Sequence, residues 1–159
     1  MKLRRSRFNP TNRYHTRYRD NLWLVQRKRV YLYWFKFLKV AEIESDYSVD
    51  WSKYAGWGGS DQIIGQKFDD WWEDHWRELF AVKNKGDDPL YLTSTSQTKT
   101  DAYKIMLNVH LLKHLSNEEI GARLKLPQGQ ETHEMHSRVG RFRRSAEKIL
   151  SNVCEGRFP

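Results

Sequence analysis

The sequence predicts a mainly α-helical protein, with an aromatic-rich helical N-terminal part followed by a short helix, a turn and a long last helix. Three observations predict it. Apolar residues recur at helical spacing before residue 44, over 64–80, over 103–111 and over 135–153, which is the period of helices buried along one face. Residues whose side chains cap helices, Ser60, Thr100, Ser116 and Thr132, stand just before the later stretches. All seven tryptophans lie between Trp23 and Trp76, so the aromatic packing belongs to the first half.

A chain of 159 residues has the size of one domain, or of a small domain with an arm. The 38% of hydrophobic residues supports a modest core, and 22 aromatics supply too much buriable surface for wholesale disorder. Cys154 is the single cysteine, which excludes a disulfide scaffold. No run of about 18 apolar residues exists, so a membrane span is excluded. The Arg-rich start lacks the apolar stretch of a secretory signal. The expectation is a soluble, intracellular (cytoplasmic) protein.

Net charge is +8, unevenly spread. Residues 1–39 hold 12 bases against Asp20 alone, net +11; residues 40–95 hold 5 bases and 12 acids, net −7; residues 96–159 hold 11 bases and 7 acids, net +4. The composition divides the chain into a basic flexible arm (1–20), an aromatic and acidic helical region (21–82), a polar linker (83–99) and a C-terminal region (100–159). Gly86, Pro89 and the polar run Thr93–Thr98 mark the linker.

Along the chain, residues 1–20 show no sustained period. Val30, Tyr31, Trp34, Phe37, Leu38 and Ala41 predict a helix from Leu22 or Lys28 to Glu44, although Val30–Phe37 also has the β-branched and aromatic density of a strand. Gly56-Trp57-Gly58-Gly59 punctuates the following loop. Ser60 caps the next amphipathic helix, which runs to about Ala81 with Ile64, Phe68, Trp71, Trp72, Trp76, Leu79 and Phe80 on its apolar face. After the linker, Thr100 caps a third helix that turns Tyr103, Met106, Leu107, His110 and Leu111 inward. Ser116-Asn117-Glu118-Glu119 is a capping box that opens a short helix. Gly121 sits inside that helix, where alanine is favoured by about 1 kcal/mol, so a second helix is expected to cross closely there. Leu126–Glu131 is a turn. Met135, Val139, Phe142, Ala146, Ile149, Leu150 and Val153 then follow the helical period to a stop at Gly156. The outward face of this last helix carries Arg138, Arg141, Arg143, Arg144 and Lys148.

The stretch Leu115-Ser116-Asn117-Glu118-Glu119-Ile120-Gly121-Ala122-Arg123-Leu124 resembles the first helix of a helix-turn-helix, in the style of sigma-factor region 4 and LuxR-type regulators. Thr132–Arg144 then resembles the recognition helix, with Ser137, Arg138 and Arg141 toward the groove. The turn is longer than in those families, and Lys125 stands where glycine is common. The resemblance implies a C-terminal DNA-binding module over about residues 100–155. Nothing in residues 1–99 resembles a family.

The candidate nucleic-acid-binding residues are Arg4, Arg5, Arg7, Arg13, Arg17 and Arg19 in the arm, and Ser137, Arg138, Arg141, Arg144 and Lys148 on the last helix. Arginine presents a planar fork to guanine or phosphate, and each neutralised phosphate releases counterions. Phe8, Tyr14, His15 and Tyr18 interleave the arm and suit stacking on bases. Trp71, Trp72 and Trp76 are core candidates and also candidates for a protein interface, because two adjacent tryptophans on a helix cannot point the same way. Asp69, Asp70, Glu73, Asp74, His75 and Glu78 form a solvated face, an alternative seed of a metal-dependent nuclease, or a surface that docks the basic arm. The pairs His110/His114 and His133/His136 have zinc-compatible spacing but no cysteine partners. No metal site and no cofactor are expected; no GxSxG, P-loop or GxGxxG motif occurs.

The function expected is non-catalytic binding of nucleic acid, DNA in preference to RNA, by a homo-oligomer with no membrane partner. Its simplest form is a helix-turn-helix regulator. A second form is the DNA-recognition subunit of a larger assembly, similar to phage small terminases. The alternative is a protein-binding adaptor or inhibitor acting through the Trp-rich acidic surface.

Overall fold

The structure, a computed structural model, describes residues 15–93, 100–126 and 132–159. Three two-residue strands, β1 (Thr16–Arg17), β2 (Trp23–Leu24) and β3 (Ala81–Val82), form an antiparallel sheet in that order. Thr16 lies opposite Leu24, and Trp23 opposite Val82. Among the described residues six α-helices carry most of the rest: α1 (Lys28–Ile43), α2 (Gly59–Gly65), α3 (Phe68–Leu79), α4 (Thr100–Leu111), α5 (Asn117–Arg123) and α6 (Thr132–Cys154). The protein is mainly helical, with a long last helix and an aromatic N-terminal part.

The segment rich in strand-forming residues, Val30–Phe37, is helical. Its β-branched and aromatic density reflects position rather than conformation. Eight α1 residues, among them Tyr31, Tyr33, Trp34, Phe35 and Phe37, are buried over most of the helix circumference, as a central helix requires. The helix starts at Lys28 and not at Leu22, because Trp23 and Leu24 are taken up by the sheet.

The main core surrounds α1. Trp34, Trp57, Trp71, Trp72 and Trp76 are all fully buried there. Trp71 donates its indole N–H to the Trp57 carbonyl at 2.9 Å, and Trp34 donates to the Tyr54 hydroxyl at 3.0 Å. That hydroxyl in turn donates to the carbonyl of Val153 on α6.

The expectation that Trp71, Trp72 and Trp76 offer an interface is corrected here: each has 0% of its surface exposed. The two adjacent rings do point apart. Trp71 faces Phe35 and Trp57, while Trp72 faces Tyr31 and Phe80. The N-terminal strand segment covers the side that would otherwise meet water, with Tyr18 set edge-on against Trp76 at 4.9 Å. The arm boundary moves for the same reason. Residues 15–20 belong to the folded body, through β1 and through Arg19 on Glu73.

The main core continues across the linker. Tyr103, Leu107, Ala146, Ile149, Leu150, Val153 and Phe158 pack in the same cluster as the tryptophans. Two polar clasps hold α4 beside α1 with both helices running the same way. Arg29 meets Asp101 at 2.6 Å near their N-terminal ends, and Glu44 meets His110 at 2.8 Å and Lys113 at 3.0 Å near their C-terminal ends. Burial pushes the Glu44 carboxyl up, but hydrogen bonds from Lys113 and His110 outweigh it and hold the group below its ordinary value. Buried Gln26 clasps Thr93: its amide nitrogen donates to the Thr93 hydroxyl at 2.7 Å and its amide oxygen accepts the Thr93 N–H at 2.8 Å, which anchors the first residue of the linker's polar run.

Candidate nucleic-acid interface

A second, smaller core joins α4, α5 and α6: Val109, Ile120, Leu126, Met135 and Val139, with Phe142 packed against it. Local sequence sets each end of α5. The Ser116 hydroxyl accepts the Glu119 N–H at 3.2 Å, as the capping box requires. At the other end Lys125 takes a left-handed φ of +52°. The Leu126 N–H then donates to the Gly121 carbonyl at 3.1 Å and the Lys125 N–H to the Ala122 carbonyl at 3.2 Å, the paired bonds of a Schellman motif. Leu126 folds back into the core beside Ile120. Lys125 thus takes the left-handed conformation that glycine adopts most readily, at a steric cost.

The close crossing expected at Gly121 is present. A Cβ there would lie 2.6 Å from the Met135 sulfur and 2.9 Å from its Cγ. α6 ends in the same way as α5: Gly156, φ +81°, is followed by an Arg157 N–H that donates to the Asn152 carbonyl at 3.0 Å.

This packing fixes the outward face of α6. Ser137, Arg141, Arg144 and Lys148 are exposed; Arg138 is half-buried and has contacts of its own. Ser137, Arg138, Arg141 and Arg144 line a polar depression of about 650 Å³ together with His136 and with Asn117 from α5. Glu134 is the one acid among its described lining residues. Lys148 lies further along α6, outside the depression.

Arg143 does not belong to that outward face. Its Nε donates to Asn117 Oδ1 at 2.7 Å, and its two terminal nitrogens donate to the carbonyls of Lys113 at 3.0 Å and Leu115 at 2.6 Å. The guanidinium thus satisfies backbone carbonyls at the α4–α5 junction and sets α5 against α6. A signal for this was present: Arg143 stands four residues after Val139 and three before Ala146, on the flank of the apolar stripe. Asn117 is the other residue missed. Its Oδ1 takes the Arg143 bond while its Nδ2 donates to the His136 carbonyl at 3.2 Å, so it ties α5 to the lined depression.

The arm residues divide. Arg4, Arg5, Arg7 and Arg13 lie outside the described residues. Arg17 is exposed, bonds Asn21 at 3.3 Å and stands over the Trp23 ring. Arg19 is engaged within the fold: it forks onto Glu73 at 2.7 and 3.0 Å and stands over Trp76. The hydrogen bond from Arg19 holds the Glu73 carboxyl below its ordinary value. Lys28 meets Asp69 at 2.9 Å, and Arg77 meets Asp20 at 2.5 Å. The acidic face of α3 is thus partly neutralised by the chain itself, while Asp70, Asp74 and Glu78 stay exposed.

Among the described residues, no three His, Cys, Asp or Glu side chains gather as a metal site would need. His110 is held by Glu44, and His75 stacks on Trp71 with Nδ1 2.7 Å from that residue's carbonyl. Burial pushes the half-buried Cys154 thiol up, away from the reactive thiolate. No helix among the described residues is long and apolar enough to cross a membrane. Comparison with protein families, curated proteins and solved structures finds no match to this chain.

Proposed function

We propose that α5 and α6 form a helix-turn-helix that reads duplex DNA, and that the protein acts by binding rather than by catalysis, as a regulator or as the DNA-recognition subunit of a larger assembly. The observation that carries this is the depression on α6. Ser137, Arg141 and Arg144 share one helix face and are open to solvent, and Asn117 and His136 add further polar groups to the same surface. Side chains three and four apart on an exposed helix present a row of donors with the spacing that a major groove accepts. Gly121 and Arg143 act one level further in. They fix how α6 is presented, and phosphate contacts from Lys148 would add affinity without sequence choice.

The test is duplex binding by Arg141→Ala and Arg144→Ala chains. Both side chains are exposed, so truncation leaves the core untouched. A lost base contact lowers affinity by about 1–3 kcal/mol and relaxes sequence choice at one position of a selected site. Wild-type affinity in both variants, with an unchanged circular dichroism spectrum, removes this reading.

A further inference from the structure

The most exposed large apolar side chain among the described residues is Leu90, with 74% of its surface open. Its backbone is nonetheless held on both sides. Tyr91 donates its N–H to the Leu79 carbonyl at 3.1 Å and its hydroxyl to the Ala55 carbonyl at 2.8 Å, and its ring packs edge-on against Trp57. Upstream, the Asp87 N–H closes a turn on the Asn84 carbonyl at 3.2 Å, with Gly86 at φ +101°, and the Asp87 carbonyl lies 3.2 Å from His15 Nε2. The segment Asp87-Asp88-Pro89-Leu90 therefore presents two exposed aspartates and a leucine from a fixed support, and it contains no cation. Lys85, just before it, is turned onto the Trp23 ring. A segment already held in place loses little freedom when it binds, so this loop has the form of an anchor.

The complementary surface lies elsewhere on the same chain. Between α1 and the start of α3 a groove of about 550 Å³ has an apolar floor of Leu32 and Phe68. Lys28, Arg29, Lys36 and Lys67 surround it, with Asp69 as the one acid among its described lining residues. Lys28 is matched by Asp69 and Arg29 by Asp101. Lys36 and Lys67 are exposed and meet no carboxylate among the described residues. Leu90 and the two aspartates are not among the residues that line the groove, so the loop does not fill the groove of its own chain.

We infer that the Asp87–Leu90 loop of one copy of this chain docks in the α1–α3 groove of a second copy, with Leu90 on Leu32 and Phe68 and the aspartates toward Lys36 and Lys67. Two features of the groove choose the occupant. Its unmatched ammonium groups call for carboxylates, and its apolar floor calls for an apolar side chain beside them. A phosphate strand supplies only the first. The other exposed apolar side chains of the helices do not supply both. Ile43 adjoins Glu42, which is bonded to Trp51 and Ser60, and Glu44, which is bonded to His110 and Lys113. Ile64 has one nearby acid, Asp61, and Leu111 has none within four residues along the chain. The contact joins unlike surfaces, so it builds either a reciprocal dimer or a head-to-tail chain. It does not depend on the proposed role of α6.

The experiment is sedimentation velocity of the full chain over a concentration series at low salt, where ion pairs are least screened. A contact of one leucine and a few ion pairs belongs to the weak, transient class, so the series extends to about 1 mM. The wild-type sedimentation coefficient is expected to rise with concentration, and to rise less at high salt. Leu90→Ala is expected to weaken association about ten-fold, as loss of the apolar anchor requires. A loop variant, Asp87→Lys/Asp88→Lys, and a groove variant, Lys36→Glu/Lys67→Glu, are each expected to stay monomeric, because loop and groove then carry like charges. An equimolar mixture of the two is expected to associate, because each loop then meets a groove of opposite charge. Thermal melting checks that every variant folds. A wild type that stays monomeric to the top of the series overturns the proposal, and is the result expected if the groove serves a different, acidic protein. So does either charge variant that associates like wild type, or a mixture that stays monomeric while both of its components melt as wild type does. A groove variant that self-associates normally but loses DNA affinity assigns the groove to phosphates and overturns the proposal as well.

Discussion

Five tryptophans are fully buried around α1, and Trp57 alone packs within 5.5 Å of Trp34, Tyr54, Trp71, Phe80 and Tyr91. The α5–α6 crossing rests on far less: five buried residues, none of them aromatic. Each ring in the first region touches several others, so its position is over-determined. In the second region position depends on single contacts: Gly121 against Met135, Arg143 on two carbonyls, and Lys125 in a strained turn. The difference teaches where rigidity is placed. The aromatic core supplies a fixed frame, and α6 extends from it, anchored in that frame by Ala146, Ile149, Leu150 and Val153 and lightly packed at its N-terminal half. Sparse packing of this kind is where local opening is cheapest.

The largest expected effect comes from the frame. Trp71→Ala removes a fully buried ring and the bond to the Trp57 carbonyl. Truncations of this size cost about 3–5 kcal/mol. Because α4 and α6 pack in the same cluster, the whole chain should lose its cooperative transition, and denaturant unfolding followed by far-ultraviolet circular dichroism should report it. If α6 helicity survives unchanged, the two regions do not depend on one core.

The second effect is smaller and local. Gly121→Val places a branched Cβ into the Met135 side chain, whose sulfur would lie 2.6 Å from it. Overpacking of this kind costs about 1–3 kcal/mol. DNA affinity should fall as α5 shifts on α6, while the near-ultraviolet signal of the tryptophans stays as in wild type. A variant that loses the tryptophan signal too would mean that the two regions open together.

The same contrast governs what could be read from the sequence. Ser116, Gly121 and Gly156 were legible, because a cap, a close crossing and a helix stop are set by a few neighbouring residues. Strands of two residues are too short to show a period, so β1, β2 and β3 left no mark in the pattern. Their consequence was missed with them. The burial of Trp72 and Trp76 depends on Tyr18, more than 50 positions away in the chain, and α3 alone cannot show which of its faces is covered. Arg143 was readable in principle from its place on the apolar flank, but a run of arginines reads first as a charged surface. Lys125 is the reverse case: a lysine gives no sign of a left-handed residue, and the end of α5 takes that conformation regardless.

That turn gives the finest test. At φ +52° the Lys125 Cβ crowds its own backbone, a cost of about 1–2 kcal/mol that glycine avoids. Glycine also loses more chain entropy on folding, so the net gain from Lys125→Gly is about 1 kcal/mol, or roughly 2–4 °C in melting temperature for a chain of this size. The substitution also deletes a positive charge. Lys125→Ala separates the two effects, since it removes the same charge and keeps the strain. The Gly variant should melt above wild type and the Ala variant should not, and slowed amide exchange in the Gly variant should be confined to α5 and the first turns of α6. Equal melting temperatures for the Gly and Ala variants would mean that the left-handed turn is not held in solution. Exchange slowed equally around the tryptophans would mean that α5 opens only when the aromatic frame does.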